Sequence, residues 1–316
     1  MITTWDGKIW YPQFYDLDTQ LGLDNSGFVR FGASVDFADH SENKLTMDDK
    51  KYNDYNTSNS VLWTKLQRCF ATEIKDMYFQ LRGTKLTPEN VIDHLIVNGS
   101  NRISQTYYNQ DAIQKYLPWG DEYIHMCNGS REGFLRRWIE ERFIYMDSIY
   151  EYGPNFNTQC TVRANKQGEV RLRIKTYSPA YVRIIFSGAS GNQQKLLCDK
   201  TGFTEFVGNI ATDRDNEIKI YCAGQLMYID GIKDVYPSVL LLSEASKLVE
   251  VDCSGSRNMR SLQLANNRLL QKLVCKNCQY LGDADVGGNP ELNLSGSQHL
   301  KYLSVYTERR YRISYI

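Results

Sequence analysis

Four consecutive eleven-residue segments towards the C-terminus share the pattern L-x-x-L-x-L-x-x-N in one register. Leu248, Val251, Cys253 and Ser256 are followed by Met259, Leu262, Leu264 and Asn267. Leu270, Leu273, Cys275 and Cys278 come next, then Leu281, Ala284, Val286 and Asn289. A fainter segment precedes them (Leu240, Leu242, Ala245) and an irregular one follows (Leu300, Leu303, Val305). A fixed period implies stacked arcs, in which each apolar position points inward and lies above its equivalent in the arc below. Asn or Cys at the turn then satisfies backbone groups where the chain bends.

Upstream, the periodicity changes twice. Residues 1–56 are rich in turns and acidic, with ten Asp or Glu against five Lys or Arg. The stretch from Asp39 to Asn59 has almost no apolar periodicity and reads as an exposed loop or interface arm. Helical spacing follows. Leu62, Leu66, Phe70, Ile74, Met77 and Leu81 form one face of a helix capped by Ser58 or Ser60 and closed by Gly83. Thr87-Pro88 opens a second helix through Val91, Ile92 and Leu95 to Gly99. A third runs from about Ser130 to Gly153-Pro154, with Leu135, Trp138, Ile139, Phe143, Met146 and Ile149 on one face. The period then drops to two: Val170, Leu172 and Ile174 alternate with Arg171, Arg173 and Lys175, and Val182, Ile184 and Phe186 repeat the pattern. The expected fold class is therefore α+β and multidomain. Residues 1–154 form a helical domain, 155–232 a small antiparallel β-sandwich, and 233–316 the repeat and a C-terminal tail.

Charge removes one class of function. With 37 Lys or Arg against 37 Asp or Glu in 316 residues, the chain has no net field to draw it to nucleic acid. The first residues lack the basic start and apolar core of a secretory signal, and the longest notable apolar run is Val239-Leu240-Leu241-Leu242, so no membrane segment is expected. Eight cysteines lie in segments that read as buried strands and helices, as reduced core thiols do. The 22 tyrosines are large amphipathic rings suited to polar interfaces.

Few residues carry a chemical signal. Cys275-x-x-Cys278 has the spacing of half a zinc or redox site, but both thiols also fall on repeat positions, which predicts core packing. His40, His94, His125 and His299 are dispersed, and Gly287-Gly288-Asn289-Pro290 is a turn without the Lys of a phosphate loop. Asp16 and Asp18 are the metal candidates: astride a bend they present hard oxygens to Mg²⁺ or Ca²⁺, with Asp24 or Asn25 nearby. The plainer reading is a pair of solvated or capping carboxylates. No catalytic set is evident, and beyond a structural Mg²⁺ or Ca²⁺ no cofactor is expected.

Three resemblances organise these features. The eleven-residue arcs, paired into coils, resemble a leucine-rich repeat, which implies a short solenoid. Trp10-Tyr-Pro-Gln-Phe-Tyr-Asp16-Leu-Asp18-Thr-Gln-Leu-Gly22, Leu81-Arg82-Gly83 and Arg131-Glu-Gly-Phe-Leu-Arg-Arg-Trp-Ile-Glu-Glu-Arg142 resemble the C-terminal lobe of the CotH-like spore-coat kinase family, and that likeness makes Asp16 and Asp18 metal carboxylates. That family's nucleotide-binding lobe and catalytic-loop Asp lie upstream of the matched segment, and almost no sequence precedes it here. Phosphoryl transfer needs positioned phosphates, charge neutralisation and an oriented nucleophile, so no kinase activity is expected of this chain alone. The combination, joined through Lys175-Thr-Tyr-Ser-Pro-Ala-Tyr-Val182 and accompanied by Ile220-Tyr-Cys-Ala-Gly224, resembles the tail muzzle proteins of crAss-like, short-tailed bacteriophages.

That likeness implies a virion structural protein, not an enzyme, at or near the distal opening of the tail tube and assembled in the bacterial host's cytoplasm. Its expected partners are other phage tail proteins, copies of itself and an upstream polypeptide. The alternatives are a CotH-like kinase half completed by another chain and a leucine-rich recognition module.

Overall fold

A computed structural model describes residues 2–3, 10–11, 68–94, 131–187, 192–211, 216–242, 244–264, 267, 269–278, 280–281, 283–287, 291–293 and 302–306. Among the described residues the fold is mixed α+β, dominated by two sheets rich in antiparallel pairing, with few helices. The chain forms two compact units, Met1–Phe143 and Ile144–Ile316.

In the first unit, β1 (Ile2–Thr3) pairs antiparallel with β2 (Trp10–Tyr11). Helix α1 (Ala71–Arg82) runs into Gly83, and α2 (Pro88–Ile92) begins as the sequence predicts: Thr87 Oγ1 accepts the Asn90 amide at 3.1 Å and Pro88 occupies the first turn. Helix α3 (Arg131–Tyr150) brings Ile139 and Phe143 against Ile92, with Leu86, Val91 and Trp138 packed around them. The expected apolar face of α1 is not the buried one. Phe70, Met77 and Leu81 are exposed, whereas Tyr78 and Arg82 are buried. Arg82 is covered because its guanidinium lies 4.9 Å from the Phe143 ring centroid, a cation–π contact that lets a charged side chain replace leucine at the interface.

The second unit is built on two sheets. The eight-stranded sheet has the order β16 (Tyr302–Tyr306), β14 (Asp283–Gly287), β12 (Ser261–Leu264), β10 (Val239–Leu241), β3 (Asn157–Ala164), β8 (Asn216–Cys222), β5 (Ala180–Ile185), β6 (Gln193–Cys198). The six-stranded sheet has the order β15 (Glu291–Asn293), β13 (Lys272–Val274), β11 (Glu250–Asp252), β9 (Leu226–Asp230), β4 (Gly168–Thr176), β7 (Thr204–Ile210). The predicted alternation holds. Val170, Leu172 and Ile174 of β4 and Val182 and Ile184 of β5 are fully buried, and Arg171 and Arg173 are exposed. Gly208 in β7 makes room for the fully buried Phe186, just past β5: a Cβ there would lie 2.1 Å from Phe186 Cγ.

Both sheets then change character in the same way. Antiparallel pairing ends at β10 beside β3 and at β9 beside β4, and every later pair is parallel. Leu240 pairs with Leu262 and Leu262 with Ala284 in one sheet, while Ile229 pairs with Val251 and Val251 with Leu273 in the other. Each full step is 22 residues, so alternate arcs alternate between the sheets. The inward positions Leu248, Cys253, Met259, Leu262, Leu264, Leu273, Cys275 and Leu281 are fully buried and belong to the same core cluster as the sandwich residues. Each such large apolar side chain contributes about 1.5–3 kcal/mol of transfer free energy, an upper figure because the unfolded chain is partly collapsed.

This corrects the expectation of a separate leucine-rich solenoid. A leucine-rich repeat forms one strand per period, with a helix or turn opposite; here each 22-residue period carries two short strands, one in each sheet. No boundary near residue 232 interrupts either sheet, and the sandwich and the repeat share one core.

The end of α3 is fastened to the outer side of β5 and β6. Ser148 Oγ accepts the Tyr181 amide at 2.9 Å, and Lys195 donates to the Ile149 carbonyl at 2.7 Å. Glu151, just past the helix, bonds Arg183 at 2.7 Å and lies 3.1 Å from Lys195. Among the described residues no helix is long and apolar enough to cross a membrane.

Candidate recognition face on the six-stranded sheet

Strand alternation that buries Leu172, Ile174, Ile229 and Val251 necessarily turns their neighbours to the opposite side of the sheet. Register aligns these outward residues into rows. Lys175 pairs with Tyr228, Tyr228 with Glu250, and Glu250 with Lys272, so a cation, an aromatic ring, an anion and a cation cross four strands at one level. One level along, Glu205 pairs with Arg173 and Arg173 with Asp230.

The rows border a cavity of about 510 Å³ lined by residues of β4, β9 and β11 and of the turn before β7. That turn is organised by Asp199, whose Oδ1 accepts Thr201 Oγ1 at 2.7 Å and the Thr201 amide at 2.8 Å. These bonds hold the Asp199 carboxyl below its ordinary value, the hydroxyl bond first. The turn presents Lys200 and Phe203 to the cavity. Phe203 is 45% exposed and is held by charge as well as by contact. Lys175 Nζ lies 4.6 Å and the Arg173 guanidinium 5.4 Å from its centroid, and Tyr228 meets it edge-on at 6.4 Å and 72°.

The carboxylates are individually oriented. Asp230 is ion-paired with Arg173 through Oδ2, and its Oδ1 accepts the Gly231 amide at 2.8 Å. Gly231 is required there: φ is +91°, and a Cβ would sit 2.4 Å from the Arg171 carbonyl oxygen. Glu250 accepts from Lys272 Nζ at 2.5 Å, and Asp252 Oδ1 accepts the Ser254 amide at 2.8 Å. The ion pairs are half exposed and add little stability. What they fix is position: a row of acceptors and donors beside two rings.

Asp16 and Asp18, the expected metal carboxylates, lie outside the described residues, as do His40, His125 and His299, the arm 39–59 and the tail 309–315. Among the described residues no cluster of three or more His, Cys, Asp or Glu is arranged to hold a metal. Cys275 and Cys278 are buried on their repeat positions, with Cys275 Sγ 3.9 Å from Cys253 Sγ and Cys278 Sγ donating to the Cys253 carbonyl at 3.2 Å. The recognition face is not legible in the sequence. Arg173 and Lys175 were legible as outward strand residues, but their meeting with Tyr228, Glu250 and Phe203 depends on pairing between distant strands. Searches of protein-family models, curated proteins and solved structures return no match to this chain.

Proposed function

We propose that the chain is a non-catalytic structural and recognition protein of a bacteriophage tail, a muzzle or tail-tip component that closes or lines the distal tube. The resemblance to crAss-like muzzle proteins motivates the assignment. The observation that carries it is the continuity of both sheets from antiparallel sandwich into parallel repeat, which displays a fixed row of aromatic and charged side chains on one surface. Tyr, Phe and Arg are the side chains that recur in protein interfaces, and strands about 4.8 Å apart give such a row a regular spacing. Other tail proteins and copies of the same chain are the proposed partners, and the CotH-like first unit serves as a docking body.

The test is assembly. Native mass spectrometry of the purified chain, alone and mixed with the other tail proteins of its phage, should give a defined oligomer or complex. Mass spectrometry of purified virions should find the chain in the tail fraction. A monomer under all these conditions, together with Mg²⁺- and ATP-dependent transfer of labelled phosphate to a protein substrate, would replace this reading with that of a kinase half.

The recognition reading has its own support in the cavity beside Phe203. A concave site on a rigid sheet, with aromatic walls and convergent polar groups, is suited to holding a ligand.

A further inference from the structure

We propose that the cavity bordered by Phe203, Tyr228 and Glu250 binds a neutral, polyhydroxylated ligand, namely a short oligosaccharide. This rests on the reading of the cavity as a recognition site and is independent of where the protein is assembled.

Size comes first. A volume of about 510 Å³ falls within the range of roughly 300–1,000 Å³ typical of small-molecule sites. It suits a short oligomer of rings better than an ion or an amino acid. Charge then narrows the chemistry. Every carboxylate of the site already has a partner: Arg173 for Asp230, Lys272 for Glu250 and the Ser254 amide for Asp252. Lys175 and Lys200 stand on the same rim as these three acids. An anionic ligand gains the two ammonium groups and is repelled by the carboxylates; a cation meets the converse. With Asp199 of the turn, four carboxylates stand against Lys175, Lys200, Arg173 and Lys272, so neither sign finds a net field.

A ligand with many hydroxyls faces no such conflict. Each carboxylate offers about four lone-pair positions and each ammonium three donors, so the existing pairs leave capacity on both sides. Hydroxyls both donate and accept and can use an alternating row without unpaired charge. Lys175, Tyr228, Glu250 and Lys272 form such a row in consecutive strand pairings.

The rings supply the remaining term. Phe203 is held in place by Lys175, Arg173 and its edge-to-face contact with Tyr228, so packing a ligand on it costs little further ordering. The part of the Phe203 ring left exposed offers apolar surface on which the C–H face of a pyranose can pack. Because all of these groups stand on strands or on the turn tied by Asp199, the site is preorganised.

The experiment uses the full chain and four neutral probes: maltotriose, cellotriose, triacetylchitotriose and mannotriose. Trigalacturonic acid and the fully deacetylated chitosan trimer are the charged comparators. Calorimetric titration and saturation-transfer NMR should show at least one neutral probe binding, with transfer concentrated on its ring C–H protons. Its affinity should be at least tenfold tighter than that of either charged trimer and should change less than threefold between 50 and 300 mM NaCl. Phe203→Ala and Glu250→Gln should each weaken binding at least fivefold, and Tyr236→Ala, on an exposed residue that does not line the cavity, should leave it unchanged. Thermal unfolding identifies a variant that fails to fold, and Lys200→Met then replaces it. The proposal is overturned if no neutral probe binds the wild type, if a charged trimer binds as well, or if the folded cavity variants bind like the wild type. A negative result here leaves the assembly test untouched, and a monomer in that test leaves this one untouched.

Discussion

Asn267 reaches across one coil to Leu242: its Nδ2 donates to the Leu242 carbonyl, 25 residues earlier, and to the Ala245 carbonyl, both at 2.8 Å, with the side chain fully buried. Cys278 repeats the relationship eleven residues later, its Sγ donating at 3.2 Å to the Cys253 carbonyl, again 25 residues earlier. At Asn267 and Cys278 the ninth position of the repeat is thus a tie between successive coils. It gives a second donor to carbonyls that each already accept from the turn amide three residues later.

Replacement of Asn267 should rank by donor capacity. Asn267→Ala removes two buried hydrogen bonds from carbonyls that then keep only their turn donors, the Ala245 and Leu248 amides, and should destabilise the protein by about 1–3 kcal/mol. Asn267→Asp should cost more, because an ionised carboxylate offers only acceptors to two carbonyl oxygens and is buried besides. Asn267→Cys should be the mildest, since a thiol performs this task at position 278. Urea unfolding at constant slope measures all three; equal losses for Ala, Asp and Cys would contradict the tie.

The same repeat separates buried from exposed leucines. Leu273 is fully buried and is paired in register with Val251 on one side and Leu292 on the other, whereas Leu269 is 44% exposed. Leu273→Ala should cost about 2–5 kcal/mol, through lost transfer energy and a residual cavity. Leu269→Ala should change stability by less than about 0.5 kcal/mol. Chemical denaturation of the pair tests the register directly.

The sequence was most legible where one side chain reports one backbone environment. The alternation in Val170–Ile174, the Thr87-Pro88 cap and the inward register from Leu248 to Leu281 could all be read locally, because burial repeats at a fixed short interval. Two things were not legible. The apolar positions of α1 suggested a buried face, yet Arg82 is buried and Met77 exposed, since cation–π contact with Phe143 depends on a residue 61 positions away. The last arc looked irregular because three residues are missing from one turn. Leu273 pairs with Leu292 and Ala284 with Leu303, steps of 19 where the earlier ones are 22. The same strand register therefore continues through a sequence whose spacing has slipped. The recognition face was hidden for a related reason: Lys175, Tyr228 and Glu250 are neighbours only after strands from two differently paired regions join one sheet.

Sheet-to-sheet packing supplies another test. Gly208 leaves the space that the Phe186 ring fills, and a methyl group there would fall 2.1–2.5 Å from three ring carbons. Phe186 is fully buried and cannot swing into solvent. Gly208→Ala should destabilise by at least about 1–3 kcal/mol, the usual cost of overpacking. Combining it with Phe186→Leu should cost less than the sum of the two single changes, because the smaller side chain accommodates the methyl group. Strict additivity in a double-mutant cycle would show that the two residues do not share this space.

Thiol chemistry gives a prediction with a definite pH sign. Cys69 is exposed, whereas Cys160, Cys198, Cys222, Cys253, Cys275 and Cys278 are buried. Burial pushes Cys198 and Cys222 up to about 12 from the ordinary value of 9.0, and it raises Cys160 further. Cys275 and Cys278 are raised too, first by thiol–thiol hydrogen bonding, Cys275 with Cys253 and Cys278 with Cys275, and then by burial. The thiolate is the reactive form. In a Cys127→Ser background, an aromatic disulfide reagent at pH 8 should therefore modify one thiol rapidly in the native protein and the other six only on unfolding. The five thiols raised in this way, Cys160, Cys198, Cys222, Cys275 and Cys278, set a stability slope. Well below pH 9 they are protonated in both states and contribute no pH dependence. Above it the unfolded chain releases protons that the native chain retains, so stability falls as pH rises from about 9 towards 12, by at most about 1.4 kcal/mol per thiol per pH unit. Tyrosine and lysine titrate in the same range, so the comparison must be between the wild type and a Cys198→Ala/Cys222→Ala variant. Urea unfolding at pH 7.5, 9 and 10.5 should show a steeper loss for the wild type; parallel curves would mean that neither thiol is protected from ionisation by the core.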